Sequence, residues 1–329
     1  MPGKTSDGYT PFVPRTRQVH VASRNSARIL ITRRILPEAR FLLEGEGFRV
    51  EEGGRVPMPR EVLIRRASRC EGLLSMLSDR VDAAFLDACP RLRAVANYAV
   101  GFDNIDLRAA RARGVQVTNT PGVLTRATAE LAWTLILACA RRVLQGDRML
   151  RSGRFRGWDP LLLLGSELGG KTLLVVGPGR IGKAVGRIGL GFGMRVLYAG
   201  RGELEALLPR ADVLSLHVPL TPATRHLIGR AALSAMKAGA ILVNTARGPV
   251  VDEGAMVEAL REGRLAAAGL DVYEREPRLA SGLARLPNVV LLPHLGSATR
   301  EARAAMARRA ALNLSAALSV RRPPDLLTA

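Results

Sequence analysis

Three glycines in the order G-x-G-x-x-G form the stretch of this sequence whose chemistry is most specific. Gly177, Gly179 and Gly182 follow a short apolar run, Leu173–Val176, and lead through apolar residues at helical spacing to a second run, Arg195–Ala199. In such a strand–turn–helix–strand unit the glycines permit a tight turn and let a pyrophosphate reach the amide groups at the helix N-terminus. The pattern predicts a dinucleotide site, and a tight turn in some other doubly wound domain is the alternative.

A dinucleotide that reduces a carbonyl needs a proton donor beside it, and histidine suits that role because its ordinary pKa lies near neutrality. The sequence contains four histidines, His20, His217, His226 and His294. His294 ends a predicted strand shortly before Gly296, which makes it the best placed of the four. A structural histidine at a strand end is the alternative.

Charged residues near the predicted strand ends supply partners for this chemistry. A carboxylate beside His294 would stabilise its protonated form and fix its tautomer, and spacing does not choose between Asp271, Glu274 and Glu276. Arg247, in a turn after another predicted strand, offers a planar guanidinium that matches a carboxylate. A phosphate-binding or surface arginine is the alternative for Arg247.

The composition limits the other classes of function. The net charge of +20 would suit a nucleic acid, but only four of the 49 basic residues are Lys, and aromatic residues make up only 4% of the chain. We therefore expect no nucleic-acid partner, and binding by the basic surface stays open as an alternative that a salt-dependent shift assay would test. Three unclustered cysteines predict a cytoplasmic protein without a metal site. No run of about 18 uncharged apolar residues occurs, so we expect no membrane partner.

Apolar runs of strand length alternate with helical patterns, which predicts an α/β fold with parallel sheets. Residues 1–26 lack such a pattern, and we expect them to form a disordered tail. Two helices are predicted early in the chain, over Pro37–Glu46 and Asp82–Ala88. The strands predicted in the first part of the chain are Ala27–Thr32, Phe48–Glu51, Cys70–Leu74, Leu92–Asn97 and Val115–Thr118.

A second series of strands follows the glycine turn. A long apolar helix from Thr125 or Thr128 to about Leu144 precedes it, at an expected domain or subunit boundary, and a helix over Arg300–Leu318 ends the fold. Ligands of doubly wound sheets bind beyond the carboxyl ends of the strands. We therefore expect one crevice to be faced by His217, Thr245–Gly248, Asp271 and His294. The strands of this series are Val213–His217, Ala240–Asn244, Ala268–Val272 and Val289–Leu292.

Several of these stretches together resemble the D-2-hydroxyacid dehydrogenase family, and most of all its glyoxylate/hydroxypyruvate reductases. The resemblance runs from about Arg28 to Leu326. On spacing alone, Gly101 in the first of these stretches is better explained by an ordinary βα loop than by an anion site. The motifs are Ala96–Asp106, Gly177–Gly182, Asn244–Gly248, Gly269–Pro277 and Pro293–Thr299.

The resemblance implies two Rossmann-like, doubly wound parallel-sheet domains. A dinucleotide-binding domain over 123–299 is inserted in a substrate domain made of 27–122 and 300–329, and two chains form a homodimer through the inserted domain. The implied reaction is the NAD(P)H-dependent reduction of a small 2-oxo acid, glyoxylate or hydroxypyruvate, to the D-2-hydroxy acid. A corepressor-like protein that senses the dinucleotide without turnover is the alternative in another class.

The resemblance also assigns roles to residues. Arg247, Glu276 and His294 are catalytic, with Arg247 on the substrate carboxylate, His294 as the acid/base and Glu276 behind it. The substrate contacts Val100 and Gly101 through their backbone, and also Arg247, His294 and Ser297. Trp158 reaches across the dimer interface towards the partner's pocket, although a tryptophan packed under its own loop is commoner. The residues expected to bind the dinucleotide are Gly177, Gly179, Arg180, Ile181, Gly182, Gly200, Arg201, Pro219, Thr245, Asp271 and Gly296.

The end of the second strand of the glycine unit predicts which dinucleotide is preferred. That strand ends in Tyr198-Ala199-Gly200-Arg201, where an NAD site would place an acid for the ribose hydroxyls. Arg201 instead suits a 2′-phosphate, so we expect NADPH to be preferred and NADH also accepted. Only Gly202 to Arg210 separates this strand from the next, too few residues for the further helix and edge strand usual in the family. We expect that edge strand to be missing.

Overall fold

The first of two parallel sheets contains five strands. The structure, a computed structural model, describes residues 27–328, so the predicted tail over 1–26 lies outside the described residues. The strands are ordered β2-β1-β3-β4-β5, and every neighbouring pair is parallel. Each lies within two residues of its predicted bounds at either end. They are β1 (Arg28–Ile31), β2 (Arg49–Glu52), β3 (Gly72–Ser75), β4 (Ala94–Asn97) and β5 (Gln116–Thr118).

Four short helices connect these strands, two of them absent from the sequence prediction. Aspartates begin the two shortest: Asp82 accepts a hydrogen bond from the Phe85 amide, and Asp106 accepts one from the Ala109 amide. The unpredicted helices are the second and the fourth. The four are α1 (Glu38–Gly45), α2 (Arg60–Ala67), α3 (Ala83–Asp87) and α4 (Leu107–Ala112).

The second sheet contains six parallel strands in the order β11-β10-β9-β8-β6-β7. The chain runs outwards from β6 in one direction to β7 and in the other to β8, so the strand order reverses beside β6. A crevice for a ligand opens at such a reversal. The strands are β6 (Thr172–Val176), β7 (Arg195–Ala199), β8 (Val213–Leu216), β9 (Ala240–Asn244), β10 (Leu265–Leu270) and β11 (Val289–Leu291).

One edge of this sheet is β7, as the sequence predicted. Residues 202–210 form only one helical turn and a 3₁₀ turn, and none of them lies in a strand. The predicted absence of a further edge strand is therefore confirmed. The helices of this part of the chain are α7 (Arg180–Gly191), α8 (Leu204–Leu207), α9 (Arg230–Ala235) and α10 (Glu253–Arg261).

The prediction of one long helix ending near Leu144 was wrong. The helix α5 (Thr125–Ala140) ends early, and α6 (Val143–Arg151) begins after Arg142, whose backbone is left-handed with φ 53°. A left-handed residue interrupts the hydrogen-bond ladder, so two helices replace one. The apolar face of α5 packs against α7, β9 and β10, inside the second domain.

The last helix returns the chain to the first sheet. The helix α11 (Arg300–Leu318), which matches its prediction, packs against α1, β3 and β4, and the Tyr98 hydroxyl donates to the Arg303 carbonyl at 2.6 Å. The second domain is thus inserted into the first, which confirms the predicted fold class. None of the helices in residues 27–328 combines the length and apolarity needed to cross a membrane.

Candidate active site

His294 and Glu276 form a pair beyond the carboxyl end of the second sheet. The His294 Nδ1 lies 3.0 Å from the Glu276 Oε2, and the Glu276 Oε1 accepts a hydrogen bond from the Tyr273 amide at 3.1 Å. Burial favours the neutral carboxyl of Glu276, but the hydrogen bond and charge of His294 outweigh it and lower the pKa of Glu276 below its ordinary value. An ionised Glu276 orients the imidazole, which leaves Nε2 available to a ligand.

The loop after β10 gives each of the three candidate carboxylates a different hydrogen-bond partner, which their spacing in the sequence could not predict. The Asp271 side chain, buried, accepts hydrogen bonds from the amides of Leu295 and Gly296 at 2.6 and 2.7 Å, so it fixes the loop that follows His294. Burial raises the pKa of Asp271 above its ordinary value. Glu274 instead pairs with His226 at 2.7 Å. Glu276 is therefore the carboxylate in contact with His294.

The other histidines between residues 27 and 328 are not placed as proton donors. The His217 Nε2 lies 2.9 Å from the Ser215 hydroxyl, and burial lowers the pKa of His217 to about 4, which keeps it neutral. His226 is occupied by Glu274. The crevice predicted from strand ends thus contains one histidine available to act as an acid, His294.

Arg247 is positioned by the turn that follows β9. The buried side chain of Asn244 closes this turn, donating to the Arg247 carbonyl at 2.8 Å and accepting from the Ala246 amide at 3.0 Å. A Cβ on the next residue, Gly248, would lie 1.8 Å from the Tyr273 carbonyl carbon. Glycine at 248 therefore lets the turn that carries Arg247 lie directly against the segment that carries Glu276.

The loop after β4 approaches the Arg247 guanidinium from the first domain. A Cβ on Gly101 would lie 1.8 Å from the Arg247 Nη2, so only glycine permits this contact. The side-chain amides of Asn119 and Asn97 donate to the carbonyls of Val100 and Gly101 at 2.7 and 2.8 Å. These bonds turn the carbonyls into the protein, and within the described chain the amides of Val100 and Gly101 have no acceptor.

These arrangements include residues that the sequence reasoning missed. Asn97 and Asn119 were not singled out, although each lies at the carboxyl end of a buried strand. The same signal had selected Thr245–Gly248. Asp103, also missed, accepts a hydrogen bond from the Arg247 Nε at 2.9 Å. Its position two residues after Gly101 in a strand-end loop was the available signal.

The glycine turn has the geometry of a phosphate cradle. The φ of Gly177 is 94°, in the left-handed region, and a Cβ on Gly182 would lie 2.2 Å from the Gly177 carbonyl oxygen. A Cβ on Gly179 would meet no protein atom within 4 Å, so packing alone does not require a glycine there. Lys183 is the first residue of α7 whose amide donates to a preceding carbonyl, Gly179's. The amides of Arg180 and Ile181 stay open to an anion.

Other predicted dinucleotide contacts line the same carboxyl edge. The hydroxyl of Thr245 is buried and has no hydrogen-bond partner in the described chain, as expected of a group kept for a ligand. Thr128 donates to the Gly296 carbonyl at 3.0 Å and fixes the loop that carries Ser297. The Pro219 carbonyl accepts from the Thr224 hydroxyl at 2.7 Å. These residues and the glycine turn fit a dinucleotide.

The end of β7 differs from the sequence interpretation. Arg201 is exposed there and makes no ion pair with any residue the structure describes. The interpretation that no acid stands at this strand tip was wrong, because the Glu203 carboxylate folds back and accepts from the Gly200 amide at 2.7 Å. The Glu203 carboxylate thus lies at the strand tip that Arg201 follows.

An apolar surface lies between α6 and β6. Trp158 is 85% exposed in the single chain, and Phe155 and Leu161 beside it are also exposed. Trp158 does not pack under its own loop. Several exposed large apolar side chains within one short segment are typical of an interaction surface.

Comparisons with known proteins identify what this chain is similar to. Residues 133–296 match the model described as D-isomer specific 2-hydroxyacid dehydrogenase, NAD binding domain. A glyoxylate reductase of Aeropyrum pernix is 49% identical over 320 residues, which cover 91% of this chain and 95% of that protein. A solved Thermus thermophilus structure superposes with a TM-score of 0.87 at 48% identity, covering 91% of this chain and 99% of the other. An NADPH-dependent glyoxylate/hydroxypyruvate reductase of Sinorhizobium meliloti, solved with NADP and malonate, gives a TM-score of 0.81 at 35% identity and covers 93% and 97%.

Proposed function

The chain belongs to the D-isomer specific 2-hydroxyacid dehydrogenase family, and from that premise we propose that it reduces glyoxylate or hydroxypyruvate to the D-2-hydroxy acid. The observation that carries the proposal is the meeting of Arg247, the Val100–Gly101 amides and the His294–Glu276 pair at one crevice. Relatives named glyoxylate reductase support the substrate class.

Arg247 and two backbone amides bind the substrate. The Arg247 Nη2 and the open amides of Val100 and Gly101 hold the carboxylate of the oxo acid, because they supply convergent N–H donors and a positive charge. The carboxylate so held fixes the carbonyl at C2 relative to His294.

Proton transfer is the task of His294. A bound nicotinamide dinucleotide supplies the hydride that reduces C2. His294 donates its Nε2 proton to the carbonyl oxygen as negative charge develops there, and Glu276 stabilises the protonated imidazole from Nδ1. Asp271 keeps the His294 loop in place through the amides of Leu295 and Gly296.

The dinucleotide we propose is NADPH in preference to NADH. The exposed, unpaired Arg201 supports this, as does the relative from S. meliloti, which is named as NADPH-dependent and was solved with NADP. Glu203 opposes it, since its carboxylate would repel a 2′-phosphate and accept hydrogen bonds from ribose hydroxyls. The preference depends on whether attraction of the 2′-phosphate by Arg201 exceeds its repulsion by Glu203.

Turnover of a panel of oxo acids tests the function. Purified protein with NADPH or NADH is assayed with glyoxylate, hydroxypyruvate, pyruvate and longer oxo acids, and consumption of the dinucleotide is followed by absorbance. Glyoxylate or hydroxypyruvate should give the highest kcat/KM. Tight dinucleotide binding without turnover of any acid would instead favour the non-enzymatic, corepressor-like sensor.

Assembly and location belong to the same proposal. The protein forms a cytoplasmic homodimer through the cofactor domain, over residues 123–299, while 27–122 and 300–329 form the substrate domain. The exposed apolar residues around Trp158 support an interface, and the free, buried thiols of Cys70, Cys89 and Cys139 support a reducing compartment. No nucleic acid takes part in this function.

A further inference from the structure

Asp103 and Arg247 form an ion pair across the crevice. The Asp103 Oδ1 accepts from the Arg247 Nε at 2.9 Å, and the two side chains are 31% and 19% exposed. Asp103 follows β4 in the substrate domain, and Arg247 follows β9 in the cofactor domain. Between residues 27 and 328 this is the one salt bridge that joins these two domains.

The position of Asp103 is electrostatically unfavourable for an anionic substrate. A carboxylate beside the guanidinium cancels part of its charge and repels a second carboxylate that approaches the same group. From charge alone, we would expect removal of Asp103 to tighten the binding of an oxo acid. A role for Asp103 must come from geometry.

The hydrogen bonds of Arg247 supply that geometry. Its Nε donates to Asp103, and its Nη1 donates to the Ala246 carbonyl at 2.8 Å. Its Nη2 lies against the Gly101 backbone, where a Cβ would be 1.8 Å away. Two of the three nitrogens are thus held by the protein, and the third faces the loop whose amides are open. A guanidinium held in this way loses less rotamer entropy when it binds a carboxylate.

The loop that presents Asp103 is itself anchored in the protein. The neighbouring residue, Asn104, donates to the carbonyls of Met76 and Asp79 at 3.1 and 3.0 Å. Asn97, fully buried, donates to the Asn104 side-chain oxygen at 3.1 Å as well as to Gly101. Asp103 is therefore a fixed acceptor rather than a side chain on a free loop.

We propose that Asp103 is a positioning residue that orients Arg247 for the substrate carboxylate, and that the loss of this orientation outweighs the relief of repulsion. This inference rests on the proposed reduction of a 2-oxo acid. It assigns to Asp103 the selectivity for a carboxylate-bearing substrate over a neutral analogue. The substrate domain thus contributes to the carboxylate site through the arginine of the other domain as well as through its own amides.

Two substitutions separate geometry from charge. Asp103→Ala should raise the KM for glyoxylate by about 10–100-fold with the KM for NADPH unchanged, because Arg247 loses its fixed orientation. Asp103→Asn keeps an acceptor oxygen and should restore most of the affinity. A KM for glyoxylate that is unchanged or lower in Asp103→Ala would overturn the proposal, since relief of repulsion would then dominate.

A neutral substrate and a matched variant complete the test. With methyl glyoxylate, which lacks the free carboxylate, Asp103→Ala should match the wild type; an equal loss on acid and ester would mean a general structural defect and would contradict the proposal. Asp87→Ala removes a similar pair, with Arg113, from the same domain and should leave both KM values unchanged.

The wild-type assay decides the proposed function separately. If the wild type turns over no oxo acid, that function fails. Calorimetric titration of the two Asp103 variants with oxamate then measures carboxylate binding without turnover. Weaker oxamate binding by Asp103→Ala but not by Asp103→Asn supports the positioning role. Oxamate binding by Asp103→Ala that equals or exceeds that of the wild type overturns it.

Discussion

The Nδ1 of His294 lies 3.0 Å from the Oε2 of Glu276, eighteen residues earlier in the chain. The segment that carries Glu276 lies against Gly248, at the end of the turn that carries Arg247. Three loops, after the neighbouring strands β9, β10 and β11, thus bring Arg247, Glu276 and His294 into one site. This relationship gives the first two predictions.

Replacement of His294 by Ala should lower kcat by about 10²–10⁴-fold, the usual contribution of a general acid. The matched control is His226→Ala, which removes the other His–Glu pair that the structure describes, with Glu274 at 2.7 Å. The control should keep near-normal kcat. Steady-state assays with saturating NADPH measure both, and an unimpaired His294→Ala enzyme would exclude His294 as the acid.

Replacement of Glu276 by Gln should change the pH profile of kcat/KM. The pKa of Glu276 is lowered, so the carboxylate stays ionised until the pH falls below the ordinary range of a glutamate. Protonation of that carboxylate at low pH removes the negative charge and the acceptor beside His294, so kcat/KM of the wild type falls on the acid side. Gln carries no group that titrates there, so this acid limb disappears in the variant. An acid limb that persists unchanged in Glu276→Gln would contradict the pairing.

Substitutions of Arg201 and Glu203, at the end of β7, should change the dinucleotide preference in opposite directions. Arg201→Ala should lower kcat/KM for NADPH relative to NADH by about tenfold, the scale of one charge-assisted hydrogen bond to a 2′-phosphate. Glu203→Gln should raise the same ratio, because the repulsion of the phosphate is removed. Wild-type and variant enzymes are compared with both dinucleotides at one glyoxylate concentration. A wild-type preference for NADH would refute the proposed NADPH preference.

Trp158 provides a prediction about assembly. If its exposed ring reaches the partner's substrate pocket, Trp158→Ala should raise the KM for the oxo acid several-fold, and leave the KM for NADPH unchanged, by removing an apolar wall of that pocket. Sedimentation velocity should find a dimer of the wild type. A monomer with full activity would rule the interface out.

The strands were predictable from sequence because buried parallel strands are short, continuous apolar runs, as in Leu173–Val176. The helices α2 and α4 were not predicted, because their sequences, REVLIRRA and LRAARA, are short, rich in arginine and show little apolar period. The break at Arg142 has no glycine or proline to mark it, and depends on tertiary packing. Local pattern does not encode that packing.

The candidate site, like the fold, was predictable from the sequence only in part. Motifs were sufficient to select Arg247, His294 and the glycine turn, because these occupy strand ends. Spacing did not separate Asp271, Glu274 and Glu276, because their partners depend on how one loop folds against three different groups, and only the family resemblance selected Glu276. Glu203 was missed for a similar reason: its carboxylate reaches the strand tip only because residues 202–210 turn back tightly.

The position of β7 at the sheet's edge has a consequence for how the molecules behave in concentrated solution. No strand between residues 27 and 328 covers its outer side, so a row of backbone groups there can pair with a strand of another molecule. Arg195 begins β7 and Arg201 follows it, both exposed. Charged side chains at an edge oppose such pairing, since like charges would meet across it. These arginines therefore oppose intermolecular sheet growth, and loss of Arg201 would weaken that protection as well as the proposed contact with a 2′-phosphate.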